Sequence, residues 1–199
     1  MRSLLLCLLP ASAMAQVVCA LGAGASSYQP SQDQRPASDA MQLAARVNAG
    51  EKAICTPNCP EVALLRNPTA PNIALIANQG QAKLVYAPQF FAAVYADYGD
   101  AGIIAVISHE VGHALDDTLG AAWINKDWKP EVRADAWAGC VLAKSLNARD
   151  VPSALGALEK YPPSSHPDWN LRRPAIRIGY TRCGGSASSF DSGSQTKKP

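Results

Sequence analysis

This chain contains few histidines and few glutamates, and its net charge is small. Its 199 residues include three histidines and five glutamates, and the formal net charge is +2. A charge so close to zero excludes the strong electrostatic attraction by which proteins bind nucleic acid or an anionic membrane surface. We therefore expect no nucleic-acid partner. The few histidines are unevenly placed, because two of them lie four positions apart.

Hydrophobic runs are also short. The apolar residues 4–9 follow Arg2 and precede an A-x-A pattern at residues 13–15. This order is typical of a secretory signal peptide, and the run is too short to cross a bilayer. We expect a signal peptide over residues 1–15, a periplasmic or secreted product, and no transmembrane segment in the mature chain. A buried N-terminal helix, or cleavage near residues 23–25, remains an alternative.

Five cysteines would remain after that cleavage, which leaves one without a partner. An oxidising compartment favours disulfides. Cys55 and Cys59 could close a small loop, and Cys140 could join Cys183, leaving Cys19 over, although spacing alone does not determine pairing. A cysteine-based zinc site is not expected, because no second pair lies at a suitable spacing.

The paired histidines belong to an H-E-x-x-H motif, which follows an apolar run that begins at Ile103. Residues four apart share one face of a helix, so His109 and His113 could bind the same metal ion. Glu110 would then lie beside a metal-bound water, as a general base does. The motif predicts a buried helix that carries two zinc ligands.

A catalytic zinc takes three protein ligands and a water, so a third ligand is needed. No H-x-x-G-x-x-H pattern is present, which favours a glutamate on the following helix. Glu131 opens the segment E-V-R-A-D, and Asp135 lies one helical turn further on the same face. Asp135 could accept the free N–H of a ligand histidine and so fix its tautomer. A solvated helix face is the alternative for these two acids.

The remaining pattern predicts an α+β fold that is mostly helical, with a small β-hairpin before the motif helix. Residues 72–77 and 82–86 are predicted strands joined by a turn. An extended peptide could dock on a strand edge near the metal. Helices are predicted over residues 40–49, from Pro88 to a break at Gly99–Asp100, and over residues 101–119, 131–142, 151–161 and 171–180.

Composition divides the chain into four parts. Residues 16–40 are predicted to form a flexible segment after the signal peptide, and residues 41–183 the folded domain. Residues 184–199, rich in Gly, Ser and Lys, are predicted to be a disordered tail.

The motif and the E-x-x-A-D segment 18 positions after its second histidine resemble the gluzincin metallopeptidases. The resemblance is to the branch that contains the CAAX prenyl endopeptidases and the HtpX-like and BepA-like proteases. It implies a zincin-like domain with one Zn²⁺ per chain, with His109, His113 and Glu131 as ligands. It further implies Glu110 as the general base and Asp135 behind a histidine.

The same branch carries an S/T-H-P motif with an arginine six residues beyond the histidine. Here these positions are Ser165-His166-Pro167 and Arg172. The resemblance gives His166 a catalytic part in stabilising the oxyanion, or the fourth zinc position; a structural histidine in a proline-rich loop is the alternative. Arg172 or Arg173 could pair with Asp135, or both could face solvent.

The resemblance covers roughly residues 71–178 and lacks two features of its branch. The membrane helices of the prenyl endopeptidase and HtpX-like groups are absent, and so is a helical-repeat domain. We therefore expect a zinc metalloendopeptidase that cuts extended or unfolded exported or envelope polypeptides. The alternatives are a non-catalytic zinc-containing envelope chaperone or assembly factor, and a disulfide-bonded module in which the motif arose by chance.

Overall fold

The computed structural model describes residues 16–21, 28–78, 81–161 and 166–192. The predicted signal peptide, residues 1–15, lies outside them. Strands β1–β4 span Gln16–Leu21, Val62–Arg66, Ile73–Asn78 and Gln81–Tyr86; helices α1–α6 span Ser38–Cys55, Pro88–Leu119, Pro130–Ser145, Val151–Lys160, Trp169–Arg182 and Ala187–Ser192.

Helices pack on a small sheet, which confirms the predicted α+β class. The strand order is β1-β3-β4-β2. Strand β3 runs antiparallel to both β1 and β4, whereas β2 runs parallel to β4. The hairpin predicted over residues 72–86 is confirmed as β3 and β4. Strand β2 was not predicted, because its side chains are mostly half-buried and show no clear alternation.

Helix α1 continues past the glycine at which the sequence predicted its end. A side chain at Gly50 would place a Cβ atom 3.1 Å from the carbonyl oxygen of Val141 and 2.1 Å from Oγ of Ser145. Gly50 therefore lets α1 pack closely on α3, and it does not stop the helix. A glycine needed for packing cannot be told from a helix end by sequence alone.

Helix α2 contains the predicted break at Gly99. The backbone there has φ 60° and ψ −154°, a conformation that glycine adopts at little cost. Beyond the break, residues 101–115 are all buried. By length and composition alone α2 could cross a membrane. It packs here against α1, α3, α4 and the sheet, as the core helix of a folded domain does.

Both ends of the domain contain more regular structure than composition predicted. Strand β1 and the start of α1 lie within residues 16–40. At the other end, α6 occupies part of the tail predicted to be disordered. Phe190 is fully buried there, with its ring centroid 5.7 Å from that of Tyr180, and this apolar contact accounts for the ordering of α6. Residues 193–199 lie outside the described part.

The cysteines pair as the spacing allowed. Sulfur atoms of Cys55 and Cys59, and of Cys140 and Cys183, are at disulfide distance. The first pair closes the end of α1, and the second joins α3 to the end of α5. Both bonds are compatible with folding in an oxidising compartment.

Glu51 is a buried carboxyl group on α1. It lines a cavity of about 310 Å³ whose walls are mostly apolar, and its Oε1 has no hydrogen-bond partner among the described residues. Burial raises the pKa of Glu51 to about 7, with a small opposing effect from Lys52. A carboxyl group whose pKa is raised by folding destabilises the native state once it ionises.

We therefore expect Glu51→Gln to stabilise the protein in a pH-dependent way. Below the ordinary pKa of 4.5 the variant and parent should be alike. The parent should lose up to about 3 kcal/mol relative to the variant as pH rises from 4.5 to about 7, and the difference should stay constant above that pH. Urea unfolding at pH 4.5 and pH 8 measures the difference. Glu61→Gln, at an exposed position, should show no such pH dependence. Equal curves for parent and Glu51→Gln would contradict the prediction.

Candidate metal centre

The buried half of α2 lies directly on the start of α3. A Cβ atom added at Gly112 would lie 2.3 Å from the carbonyl oxygen of Ala134, so only glycine permits this backbone approach. The contact sets the His109 and His113 side of α2 against the acidic first turns of α3. Pro130 is the first residue of α3. A backbone N–H at this position would have no partner within the helix, so proline is well tolerated there, and Glu131 lies in the first turn.

The three side chains predicted as metal ligands come together at this contact. Nε2 of His109 lies 3.2 Å from Oε2 of Glu131, and Nε2 of His113 lies 3.5 Å from the same oxygen. His166 joins them from the loop before α5. Its Nε2 lies 2.7 Å from Oε2 of Glu131 and 3.3 Å from Nε2 of His109.

Ligand atoms of His109, Glu131 and His166 lie within 4.8 Å of one another, so these side chains could hold a metal ion. Ligand atoms about 2.0–2.1 Å from a tetrahedral Zn²⁺ lie about 3.3 Å from one another. The 3.2 Å, 3.3 Å and 3.5 Å separations above are close to that value, and the 2.7 Å, 3.2 Å and 3.3 Å separations are also hydrogen-bond distances. Nε2 of His113 is buried and has no hydrogen-bond partner in the described part of the chain. Imidazole nitrogens and carboxylate oxygens bind zinc and several other divalent metal ions.

Asp135 holds His109 from the side opposite the cluster. Oδ1 of Asp135 lies 2.9 Å from Nδ1 of His109, which assigns a proton to Nδ1 and turns Nε2 toward Glu131. Arg172 donates to both oxygens of Asp135, at 2.8 Å and 3.0 Å, and to the carbonyl oxygen of Leu158 at 3.0 Å. His109, Asp135 and Arg172 are all buried.

The two arginines that the sequence offered as partners of Asp135 are thereby distinguished. Arg172 makes the paired hydrogen bonds described above. Arg173, one position along α5, instead lies 3.9 Å from Asp191, and its guanidinium stands 5.0 Å from the ring centroid of Phe190.

The neighbouring charges change the pKa values of these groups in opposite directions. Burial alone would lower the pKa of His109, but Asp135 and Glu131 outweigh it and raise that pKa to about 9. Burial would raise the pKa values of both carboxyl groups. The three imidazoles nevertheless lower the pKa of Glu131, and His109 and Arg172 lower that of Asp135. Burial lowers the pKa of His166, and this exceeds the opposing effect of its hydrogen bond to Glu131.

Glu110 lies apart from these ion pairs. It is fully buried, and its Oε2 accepts a 3.0 Å hydrogen bond from the backbone N–H of Leu75 on β3. Its Oε1 has no partner among the residues that the structure describes. Burial raises the pKa of Glu110, although His109 and His113 oppose the change. Leu75 was not predicted as a contact, because a backbone amide has no sequence signature.

Comparison of this chain with protein-family models, curated proteins and solved structures gives no match. The geometry of the cluster therefore has to support any functional assignment by itself.

Replacing Asp135 with Asn should weaken zinc binding. The amide can present its NH₂ group to Nδ1 of His109 and so disturb the tautomer that frees Nε2, an effect that typically costs 10–100-fold in metal affinity. Competition for zinc with a chromophoric chelator measures it. Asp116→Asn is the matched control, since Asp116 pairs with Arg133 outside the cluster. Equal zinc affinities for parent and Asp135→Asn would contradict the assigned role.

Replacing Arg172 with Met should destabilise the fold. The change leaves the carboxylate of Asp135 buried without its guanidinium, which typically costs about 3–5 kcal/mol. Arg173→Met, which removes a partly exposed ion pair, should cost about 1 kcal/mol or less. Urea unfolding of the two zinc-loaded variants gives the comparison. Equal losses would show that the Arg172–Asp135 pair has no special weight.

Proposed function

We propose that this chain is a zinc metalloendopeptidase of the gluzincin type on a zincin-like domain. The observation that carries the proposal is Glu110. This buried carboxyl group has one oxygen without a hydrogen-bond partner in the described part of the chain, and the charges of His109, His113 and Glu131 act on it. Nε2 of both histidines converges on Oε2 of Glu131. Such a group costs stability, and groups of this kind cluster at functional sites. The substrate we propose is an extended or unfolded exported or envelope polypeptide.

Each side chain has a defined part in this proposal. His109, His113 and Glu131 would hold the zinc, and a zinc ion bound there lowers the pKa of a water and polarises a peptide carbonyl. Glu110 accepts a proton from the attacking water and passes it to the leaving amine. Its raised pKa suits both steps, because a base poised nearer to neutral pH can also return the proton.

The position of His166 supports a second candidate function. A structural zinc site is closed by four protein ligands, whereas a catalytic site keeps one position open. With Nε2 of His166 at 3.3 Å from Nε2 of His109, a fourth protein ligand is within reach. A non-catalytic zinc-containing chaperone or assembly factor of the cell envelope is therefore the alternative. In the enzyme, the same histidine would stabilise the oxyanion of the tetrahedral intermediate.

Replacing Glu110 with Gln should leave zinc bound and abolish peptide cleavage. The variant keeps the size of the side chain but cannot accept a proton, and loss of a general base typically costs 10²–10⁴-fold in rate. The measurements are zinc content and hydrolysis of a casein-type substrate by the zinc-loaded protein. Glu51→Gln makes the same substitution at the other buried glutamate and should leave cleavage unchanged.

Two outcomes would count against the enzyme. If Glu110→Gln cleaves as fast as the parent, Glu110 is not the base and the mechanism is wrong. The parent could instead bind one zinc per chain and cleave nothing, both as isolated and after its zinc has been removed with a chelator and restored. That result favours the non-catalytic alternative. If the parent binds no zinc at all, the favoured alternative is a disulfide-bonded module in which the motif arose by chance.

A further inference from the structure

We propose that β1 occupies the edge of β3 along which an extended substrate would lie, so that residues 16–21 compete with the substrate within the same chain. The inference rests on the proposed function and concerns the regulation of that site. Its evidence is the pairing of β1 with β3, at the residue of β3 that contacts Glu110.

Strand β3 contacts the candidate base directly, because the backbone N–H of Leu75 donates a hydrogen bond to Glu110. Strand β1 pairs along this strand in antiparallel register, from Gln16 opposite Ala77 to Leu21 opposite Ile73, with Cys19 opposite Leu75. Opposed residues in such a pair have Cα atoms about 4.5–5.5 Å apart. The backbone of β1 therefore passes next to the residue that holds Glu110.

The ladder between β1 and β3 is irregular at this same point. The register shifts between Val17 and Cys19, so that Val18 is an extra residue on β1. Bulges of this kind leave one residue unpaired and are frequent at sheet edges and beside active sites. The shift coincides with Leu75, whose N–H donates to Glu110. Strand β1 also contacts α2, the helix that carries the motif.

The position of β1 in the sheet makes it displaceable. It is the terminal strand, so its removal leaves the pairing of β3 with β4 and of β4 with β2 intact. An extended peptide that adds to a free strand edge binds mainly through backbone hydrogen bonds, which many sequences can provide. Strand β1 provides the same bonds from within the chain, where its effective concentration is high. The predicted signal cleavage would leave Gln16, the first residue of β1, as the mature N-terminus.

The test weakens β1 in the full zinc-loaded chain by the double change Ala20→Pro and Leu21→Pro. Successive N–H groups of a strand point to opposite sides, so one of the two prolines removes a bond to β3. Ser38→Pro is the matched control, because Ser38 is the first residue of α1, where proline is tolerated. The readouts are amide hydrogen exchange of β3, the KM and kcat of peptide hydrolysis, and binding of a fluorescent peptide with the sequence of residues 16–21 and serine at position 19.

The double variant should exchange the β3 amides faster than the parent and the control do. If β1 is docked in nine-tenths of the molecules, its release should lower KM about tenfold and leave kcat unchanged. The double variant should also bind the fluorescent peptide more tightly than the parent by the same factor. A second measurement needs no proline: saturating Glu110→Gln with a peptide substrate should speed amide exchange of residues 16–21 in the otherwise intact chain.

Three results would overturn the inference. In the first, the β3 amides exchange equally fast in the parent and in a folded double variant, so that β1 does not protect them. In the second, they exchange faster but KM and peptide affinity stay the same, which makes β1 an ordinary sheet strand. In the third, a peptide that saturates Glu110→Gln leaves residues 16–21 protected, and this result decides the question if the double variant does not fold. Absence of hydrolysis in every protein would refute the proposed function alone, because peptide binding and exchange still report on the edge of β3.

Discussion

The buried chain of contacts from Arg172 through Asp135 to His109 is the interaction on which the geometry of the candidate centre depends. It joins α5, α3 and α2, and each of its three members is buried. Isolated charges at these positions would be very costly, so each one requires the next. Arg172 keeps Asp135 ionised, and Asp135 fixes the proton of His109 on Nδ1. Nε2 of His109 is thereby turned toward Glu131, in a group of side chains that could hold a metal ion.

Glu110, which is buried, and Glu131, which is half-buried, show how the surroundings of two carboxyl groups divide the chemistry. Burial would raise the pKa of Glu131, but contacts with three imidazoles lower it. Glu110 receives one backbone amide, and burial raises its pKa. The carboxyl group of Glu131 therefore stays ionised, whereas burial favours the protonated form of Glu110. Separation of this kind between two carboxyl groups is a common arrangement in hydrolytic sites.

Local periodicity allowed the central part of the site to be predicted, and nonlocal packing explains the rest. The four-residue spacings in α2 and α3 placed His109 with His113 and Glu131 with Asp135 on shared faces, because helical geometry depends on the backbone alone. The choice of Arg172 over Arg173, the continuation of α1 past Gly50 and the contact of Leu75 depend on neighbours that are distant in sequence. Helix α6 likewise depends on the contact of Phe190 with Tyr180. The composition of the tail does not indicate that contact.

The support given to His166 bears on whether the centre is open or closed. A permanent ligand histidine almost always donates its other ring N–H to an acceptor that holds the ring, as His109 does to Asp135. Nδ1 of His166 is buried without such an acceptor among the described residues, and the ring stands on a loop, whereas the other two histidines stand on α2. The contacts of His166 with Glu131 and His109 fit a fourth ligand as well as a group that stabilises an oxyanion, so the same histidine serves both the peptidase and the non-catalytic alternative.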